Sequence, residues 1–175
     1  MDVDIKEILE YVERNSKIPL RVLEKWMKSD NIEVIGAVYR IFDQLNNLIE
    51  ITPDLETTIL FYINYFRRCI IENPVGEYPE SRYIAAISLA RFYKAIRRDK
   101  GVPAIYVKLI IEMIATIYKS GDKDVRQAIV NGTLEHLFED DIILSDFVDW
   151  KHDEELLAAY NEALEWTSGN AGGVR

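Results

Sequence analysis

Cysteine, glycine and proline are scarce in this 175-residue chain, and their scarcity excludes several classes of protein. A single cysteine, Cys69, rules out an internal disulfide framework and a zinc site built from several thiolates. Eight glycines and five prolines are too few for a fibrous or disordered chain. No apolar run approaches the roughly 18 residues of a membrane span, and the acidic residues 1–5 do not resemble a signal peptide. We therefore expect a cytoplasmic protein that does not bind membranes.

Motifs of nucleophilic, phosphate-binding and metalloprotease sites are also missing from the sequence. His136 shares a helical stripe with Glu135 and Glu139, and His152 follows Asp149 by three residues. Such groups can bind a divalent metal or supply a general base, but His-x-x-Glu is also a common exposed pair on helices. Paired Glu-x-x-His motifs, which di-iron bundles need, do not occur. We therefore predict that the chain is not an enzyme and carries no cofactor and no metal.

Apolar residues recur at helical spacing along almost the whole chain, which predicts an all-α fold. We expect seven to nine helices in a single domain over residues 1–167, arranged as a helical bundle or a short α-helical stack. The tail over residues 168–175 has little to bury and is predicted to be disordered. Cys69 lies beside Ile70 on a predicted helix and is interpreted as a small core residue. The predicted helices cover about 2–14, 19–28, 32–48, 53–70, 80–98, 103–119, 122–138, 142–150 and 153–166.

Prolines and short polar residues mark the ends of these helices. Four of the prolines directly precede a periodic segment, where a missing N–H costs nothing, and Pro74 follows one. Thr52 is the predicted N-cap of the fourth helix, with Pro53 in its first turn. Asp122 or Asp124 is the predicted cap of the seventh.

Charge is distributed in three blocks along the chain, whose net charge is -9. Residues 1–60 hold 7 Lys/Arg against 12 Asp/Glu, residues 61–119 hold 10 against 5, and residues 120–175 hold 4 against 13. A chain of this overall charge repels the phosphates of nucleic acids, so we expect no nucleic-acid binding. A cationic partner is easier to accommodate.

The central block contains a basic cluster interleaved with aromatic residues. This composition suits a phosphate or an acidic partner, but the flanking acidic blocks offer ion-pair partners within the chain, which is the simpler expectation. Arg91 interrupts an apolar helix and would need an acceptor if it were buried. The cluster consists of Arg67, Arg68, Arg82, Arg91, Lys94, Arg97, Arg98 and Lys100.

The third block contains a dense acidic segment, residues 139–155, in which apolar residues alternate with carboxylates. Like charges repel each other and cost stability, whereas a surface of one sign with aromatic anchors steers a cationic protein toward it. A solvated acidic face is the alternative. The predicted partner-binding residues are Glu139, Asp140, Asp141, Asp146, Asp149 and Asp153, with Phe147 and Trp150 as anchors.

A family resemblance covers residues 125–166. The stretch from Val125 to Leu137 (VRQAIVNGTLEHL), the acidic segment, Trp150, Tyr160 and Trp166 resemble the C-terminal part of small all-helical bacterial immunity proteins of contact-dependent toxin systems. The resemblance implies no catalysis, no cofactor, and tight binding of a cognate toxin in the cytosol of the cell that produces it. Toxins of the nuclease class are typically basic and would fit the acidic segment.

These observations predict a monomeric or homodimeric, non-catalytic immunity-type protein that neutralises a cationic bacterial toxin domain. The alternative is a helical adaptor or scaffold that mediates protein–protein interaction. A competing surface is the basic cluster around Arg97 and Arg98 with the loop over residues 72–80, which would suit an acidic partner.

Overall fold

The structure is a computed structural model that describes residues 2–170. Within this range the chain forms nine α-helices and no strand, apart from an isolated parallel bridge between Ile18 and Ile49, which confirms the all-α prediction. Its helices are α1 (Val3–Glu13), α2 (Leu20–Met27), α3 (Ile32–Gln44), α4 (Leu55–Glu72), α5 (Arg82–Arg98), α6 (Ala104–Ser120), α7 (residues 123–138), α8 (Asp141–Asp146) and α9 (Glu154–Asn170). Short 3-10 helices occupy Asn46–Leu48 and Val148–His152.

Several helix ends differ from the prediction. Helix α3 ends at Gln44 and not near residue 48, and the helix predicted over 142–150 ends at Asp146 and is followed by a 3-10 helix. Asp122 accepts a hydrogen bond from Val125 N–H and caps α7, whereas α4 is capped by Asp54 and not by Thr52. Asp54 takes this position because its carboxylate reaches both the N–H and the hydroxyl of Thr57. Helix α9 continues to Asn170, three residues into the predicted tail; residues 171–175 of that tail lie outside the described residues.

The chain divides into two compact units, residues 1–81 and 82–175. The single-domain organisation stays a prediction. None of the described helices combines the length and the apolar character needed to cross a membrane.

In the first unit, α3 packs against α1, α2 and α4. Trp26 of α2 is fully buried, and its indole N–H donates to Glu7 of α1 at 3.3 Å. Burial of aromatic side chains dominates the packing between α3 and α4. The rings that meet there are Tyr39, Phe42, Phe61, Tyr62, Tyr65 and Phe66.

Cys69 lies inside this unit and is fully buried, as predicted. Burial raises the pKa of its thiol to about 12, with the Tyr65 hydroxyl acting in the opposite direction. The thiolate is therefore scarce at neutral pH, which makes Cys69 a structural residue and not a nucleophile.

The loop after α4 is fastened to the first unit by α3. The Glu33 carboxylate accepts hydrogen bonds from the N–H groups of Glu77 and Tyr78, at 3.3 and 3.2 Å. Gly36 allows the close approach, because a Cβ at this position would lie 2.7 Å from the nitrogen of Pro79. The loop over residues 72–80 is thus an ordered part of the first unit.

In the second unit, α7 is the central helix, and its middle turn over Ile129–Leu134 is a π-helix. This turn packs against α5, where Thr133 Oγ1 donates to the carbonyl oxygen of Ala86 at 2.9 Å. A Cβ on Gly132 would lie only 2.6 Å from the Ala86 Cβ, so the two backbones approach more closely than two alanines would allow. The wider π turn and the missing side chain together bring α7 onto α5.

Candidate partner-binding surface

The acidic segment, residues 139–155, spans the end of α7, helix α8 and the start of α9. Asp140 caps α8 by accepting hydrogen bonds from the N–H groups of Ile142 and Ile143, at 3.0 and 3.4 Å. Asp153 accepts from Leu156 N–H at 3.2 Å in the first turn of α9. Negative side chains are favourable at helix N-termini, so part of this acidic run is explained by local helix formation.

Asp146 is held most firmly of these carboxylates. Its Oδ2 accepts from Arg97 Nε at 2.7 Å and from the Tyr93 hydroxyl at 2.9 Å, and its Oδ1 accepts from Arg97 Nη2 at 3.3 Å. Only 17% of the Asp146 side chain is exposed, and Tyr93 is fully buried. This network fastens α8 to α5 and makes Asp146 unavailable to a partner.

Further ion pairs connect the basic helices α5 and α6 to the segments that follow them. Lys94 pairs with Glu139 at 3.6 Å, and Arg98 pairs with Asp140 at 3.4 Å. Within the second unit, ion pairs thus engage part of the basic cluster, as the simpler expectation proposed. The cluster members that pair are Arg82, Lys94, Arg97 and Arg98. The remaining pairs are Lys119 with Asp153, Arg126 with Glu155, and Arg82 with Asp124.

These contacts shift the ionisation of the groups involved. The pKa of Asp153 is held below its ordinary value of 3.8 by hydrogen bonds from the Lys119 ammonium and from Leu156 N–H. Desolvation acts to raise the pKa of Asp140, but the hydrogen bonds from Ile143 N–H, Ile142 N–H and Arg98 outweigh it, so the pKa is lowered. Both carboxylates are thus stabilised in the charged form.

A pH dependence of stability follows for the second unit. A group whose folded pKa is lowered contributes stability above its unfolded pKa, near 3.8, and this stability is lost as the pH falls through the folded pKa. We expect the urea midpoint of unfolding to fall as the pH is lowered from about 5 to about 3. Asp140→Asn together with Asp153→Asn should reduce this dependence, because asparagine still caps a helix but does not ionise. Glu112→Gln, at an exposed position near the middle of α6, is the control and should reduce the dependence less; equal slopes in all three proteins would contradict the assignment.

The two predicted anchors require a correction. Phe147 is fully buried and Trp150 is 4% exposed. Phe147 contacts the rings of Tyr93, Phe138 and Trp150 at centroid distances of 5.7, 5.4 and 5.2 Å. Both residues are core residues of the second unit, so neither can anchor a partner at the surface. Ile143, four residues before Phe147, is buried as well.

Of the predicted partner-binding residues, Asp141 and Asp149 are exposed and form no ion pair within the described residues, and Glu139 is exposed with a single long pair to Lys94. Asp140, Asp146 and Asp153 are engaged in the contacts above. The acidic side chains that are free to meet a partner are therefore only some of the predicted ones.

The exposed side of α9 carries further acidic side chains, of which only Glu154 and Glu155 were identified in the sequence. Helix α9 contains four glutamates and no lysine or arginine. Among the described residues only Glu155 has an ion-pair partner, Arg126, while Glu154, Glu162 and Glu165 are exposed without one. Trp166, 49% exposed, stands at the same end as Glu165. The signal that could have identified this face is the absence of basic residues from a helix whose apolar positions are spaced for one-sided burial.

We define the open acidic face as the exposed side of α9 that carries Glu154, Glu162, Glu165 and Trp166. Like charges three residues apart on a helix repel each other, as Glu162 and Glu165 do here. Neither glutamate forms an ion pair among the described residues that would offset this repulsion, although Lys123 and Arg126 line the same open cavity as Glu162. A cationic partner would relieve it.

The two histidines lie in different settings. His136 is half-buried near the end of α7, and His152 is exposed in the 3-10 helix. No group of three or more His, Cys, Asp and Glu side chains within residues 2–170 is placed to hold a metal ion. Arg91 is exposed, so its place in α5 carries no burial cost.

Comparisons of this chain with protein-family models, with curated proteins and with solved structures found no match.

Proposed function

We propose that this chain is a non-catalytic, immunity-type protein that binds and neutralises a cationic bacterial toxin domain. The observation that carries the proposal is the open acidic face, the side of a helix that has four glutamates, no basic residue of its own, and a half-exposed tryptophan near its end. Carboxylates at such a surface speed the encounter with a cationic protein, and an exposed aromatic side chain supplies contact energy.

The internal ion pairs support the proposal by separating two roles of the acidic residues. Asp140, Asp146 and Asp153 hold the second unit together, so a partner does not have to displace them. The exposed glutamates of α9 hold nothing together among the described residues and are costly to place side by side. A binding function explains this cost.

Co-expression tests the proposal directly. The first step is to determine whether a neighbouring gene encodes a large protein. The C-terminal domain of such a protein is then expressed alone and together with the chain, and growth is followed. We expect growth arrest by the domain alone, rescue by the chain, and a 1:1 complex of the purified proteins. A complex without rescue would favour the helical adaptor, and the absence of both would refute binding of this partner.

Charge reversal of the open acidic face is expected to slow association with that domain. Glu154→Lys, Glu162→Lys and Glu165→Lys together should lower the association rate constant about tenfold at low salt and flatten its dependence on ionic strength. Stopped-flow or surface-based kinetics measures both quantities.

The matched control reverses three exposed carboxylates of the first unit, Glu13, Asp43 and Glu50, which changes the net charge by the same amount. If the control slows association as much as the α9 variant, the effect comes from net charge and the assigned face is wrong. Trp166→Ala should leave the association rate unchanged and speed dissociation.

A further inference from the structure

A second surface of the 82–170 unit is an open groove of about 400 Å³ between the end of α5, the start of α6 and Asp146. Its floor is aliphatic, and three of its side chains come from successive turns of one face of α6. The apolar side chains that line it are Ile96, Val102, Ala104, Val107 and Ile111. An aliphatic floor that is reachable from solvent is the usual setting for side chains of a partner.

The groove has a basic rim, although the chain as a whole is acidic. Arg97, Lys100 and Lys108 stand around it, against the two carboxylates Asp99 and Asp146. Arg97 and Asp146 neutralise each other at 2.7 Å. Lys100 and Lys108 are exposed and form no ion pair among the described residues. The net charge around the groove is therefore positive.

The start of α6 adds to this positive end of the groove. Pro103 precedes the helix and supplies no side-chain hydrogen bond to its first N–H groups. These groups carry the positive end of the helix dipole, which favours a negative group nearby. Ala104, the first helical residue, lines the groove itself.

We propose that this groove binds an acidic segment of a partner protein that carries aliphatic side chains. The aliphatic side chains would cover Val107 and Ile111, and the flanking carboxylates would face Lys100, Lys108 and the start of α6. The groove is too open to enclose a small amphiphile, which needs most of its surface buried. This proposal concerns a different surface and a partner of opposite charge, and it stands independently of the proposed function.

Two synthetic helical peptides serve as probes. Both carry the same leucine stripe, one with glutamate and the other with lysine on the flanking positions. We expect the intact chain to bind the acidic peptide more tightly than the basic one, with salt weakening the acidic complex, as measured by fluorescence anisotropy. Methyl NMR should show shifts of Val107 and Ile111 on addition of the acidic peptide.

Lys100→Glu together with Lys108→Glu is expected to weaken binding of the acidic peptide about tenfold. Asp99→Asn should tighten it by about twofold to threefold, because asparagine keeps the oxygen that accepts from Gly101 N–H but removes the opposing charge. Arg91→Glu with Lys123→Glu, at exposed positions away from the groove, is the control with the same charge change.

Three results would overturn the proposal. The first is equal affinity for the two peptides. The second is an equal loss of affinity for the acidic peptide in the Lys100→Glu, Lys108→Glu variant and in its control. The third is NMR shifts that lie outside the groove. Light scattering of the chain alone adds a further test: self-association that Lys100→Glu with Lys108→Glu abolishes would assign the groove to a second copy of the chain instead. Failure of these tests leaves the growth-rescue experiment unaffected, so the two proposals fail separately.

Discussion

Replacing Trp150 with alanine is expected to lower the free energy of unfolding of the second unit by about 3–5 kcal/mol. Trp150 is 4% exposed, and its ring lies 5.2 Å from that of Phe147 in an edge-to-face arrangement. Removing the indole leaves a cavity that the neighbouring rings cannot fill without moving. Urea unfolding followed by circular dichroism measures the loss.

Trp166→Ala is the matched control, since it makes the same chemical change at a residue that is 49% exposed. It should change the free energy of unfolding by less than about 1 kcal/mol. Equal losses in the two variants would contradict the assignment of Trp150 to the core. An intact fold with weakened partner binding in the Trp150 variant would restore Trp150 as a surface anchor.

Gly132→Ala is expected to destabilise the second unit by about 1–3 kcal/mol, although alanine is the better helix former by about 1 kcal/mol. The added Cβ would lie 2.6 Å from the Ala86 Cβ, and both atoms are fixed to helix backbones. The clash can therefore be relieved only by moving α5 and α7 apart, which also stretches the hydrogen bond from Thr133 to the Ala86 carbonyl.

A compensating substitution distinguishes this clash from a general loss of helix quality. Gly132→Ala combined with Ala86→Gly moves the methyl group from one helix to the other and should recover most of the stability lost in the single variant. The double-mutant cycle reports this coupling. Additive effects of the two substitutions would show that the close approach of α5 and α7 does not determine the stability of this contact.

The helices were predictable because each carries its own signal. The spacing of apolar residues and the cap Asp122 depend only on neighbours in the sequence. The cap of α4 was assigned wrongly because Thr52 and Asp54 both suit the position, and the choice depends on the contact with Thr57. The π turn of α7 was not predictable, since it exists where tertiary contact with Ala86 overrides the ordinary helical period.

The candidate surface was predicted less well than the fold. The sequence shows that residues 61–119 are basic and residues 120–175 acidic, but which carboxylate meets which cation is decided by packing. Asp146 lies one turn after the buried Ile143 on α8, and this position brings its carboxylate to Tyr93 and Arg97. Acidic residues that looked like one surface are therefore divided between internal ion pairs and the open acidic face.

Because Cys69 is buried, the reactivity of its thiol reports on local opening of the first unit. The chain has one cysteine, which is fully buried, and its pKa of about 12 suppresses the reactive thiolate. A thiol reagent can therefore label the native chain only after α4 has moved away from its neighbours. The labelling rate, divided by the rate for the unfolded chain, gives the equilibrium constant of that opening. No engineered probe is needed to follow how ligands or distant substitutions change it.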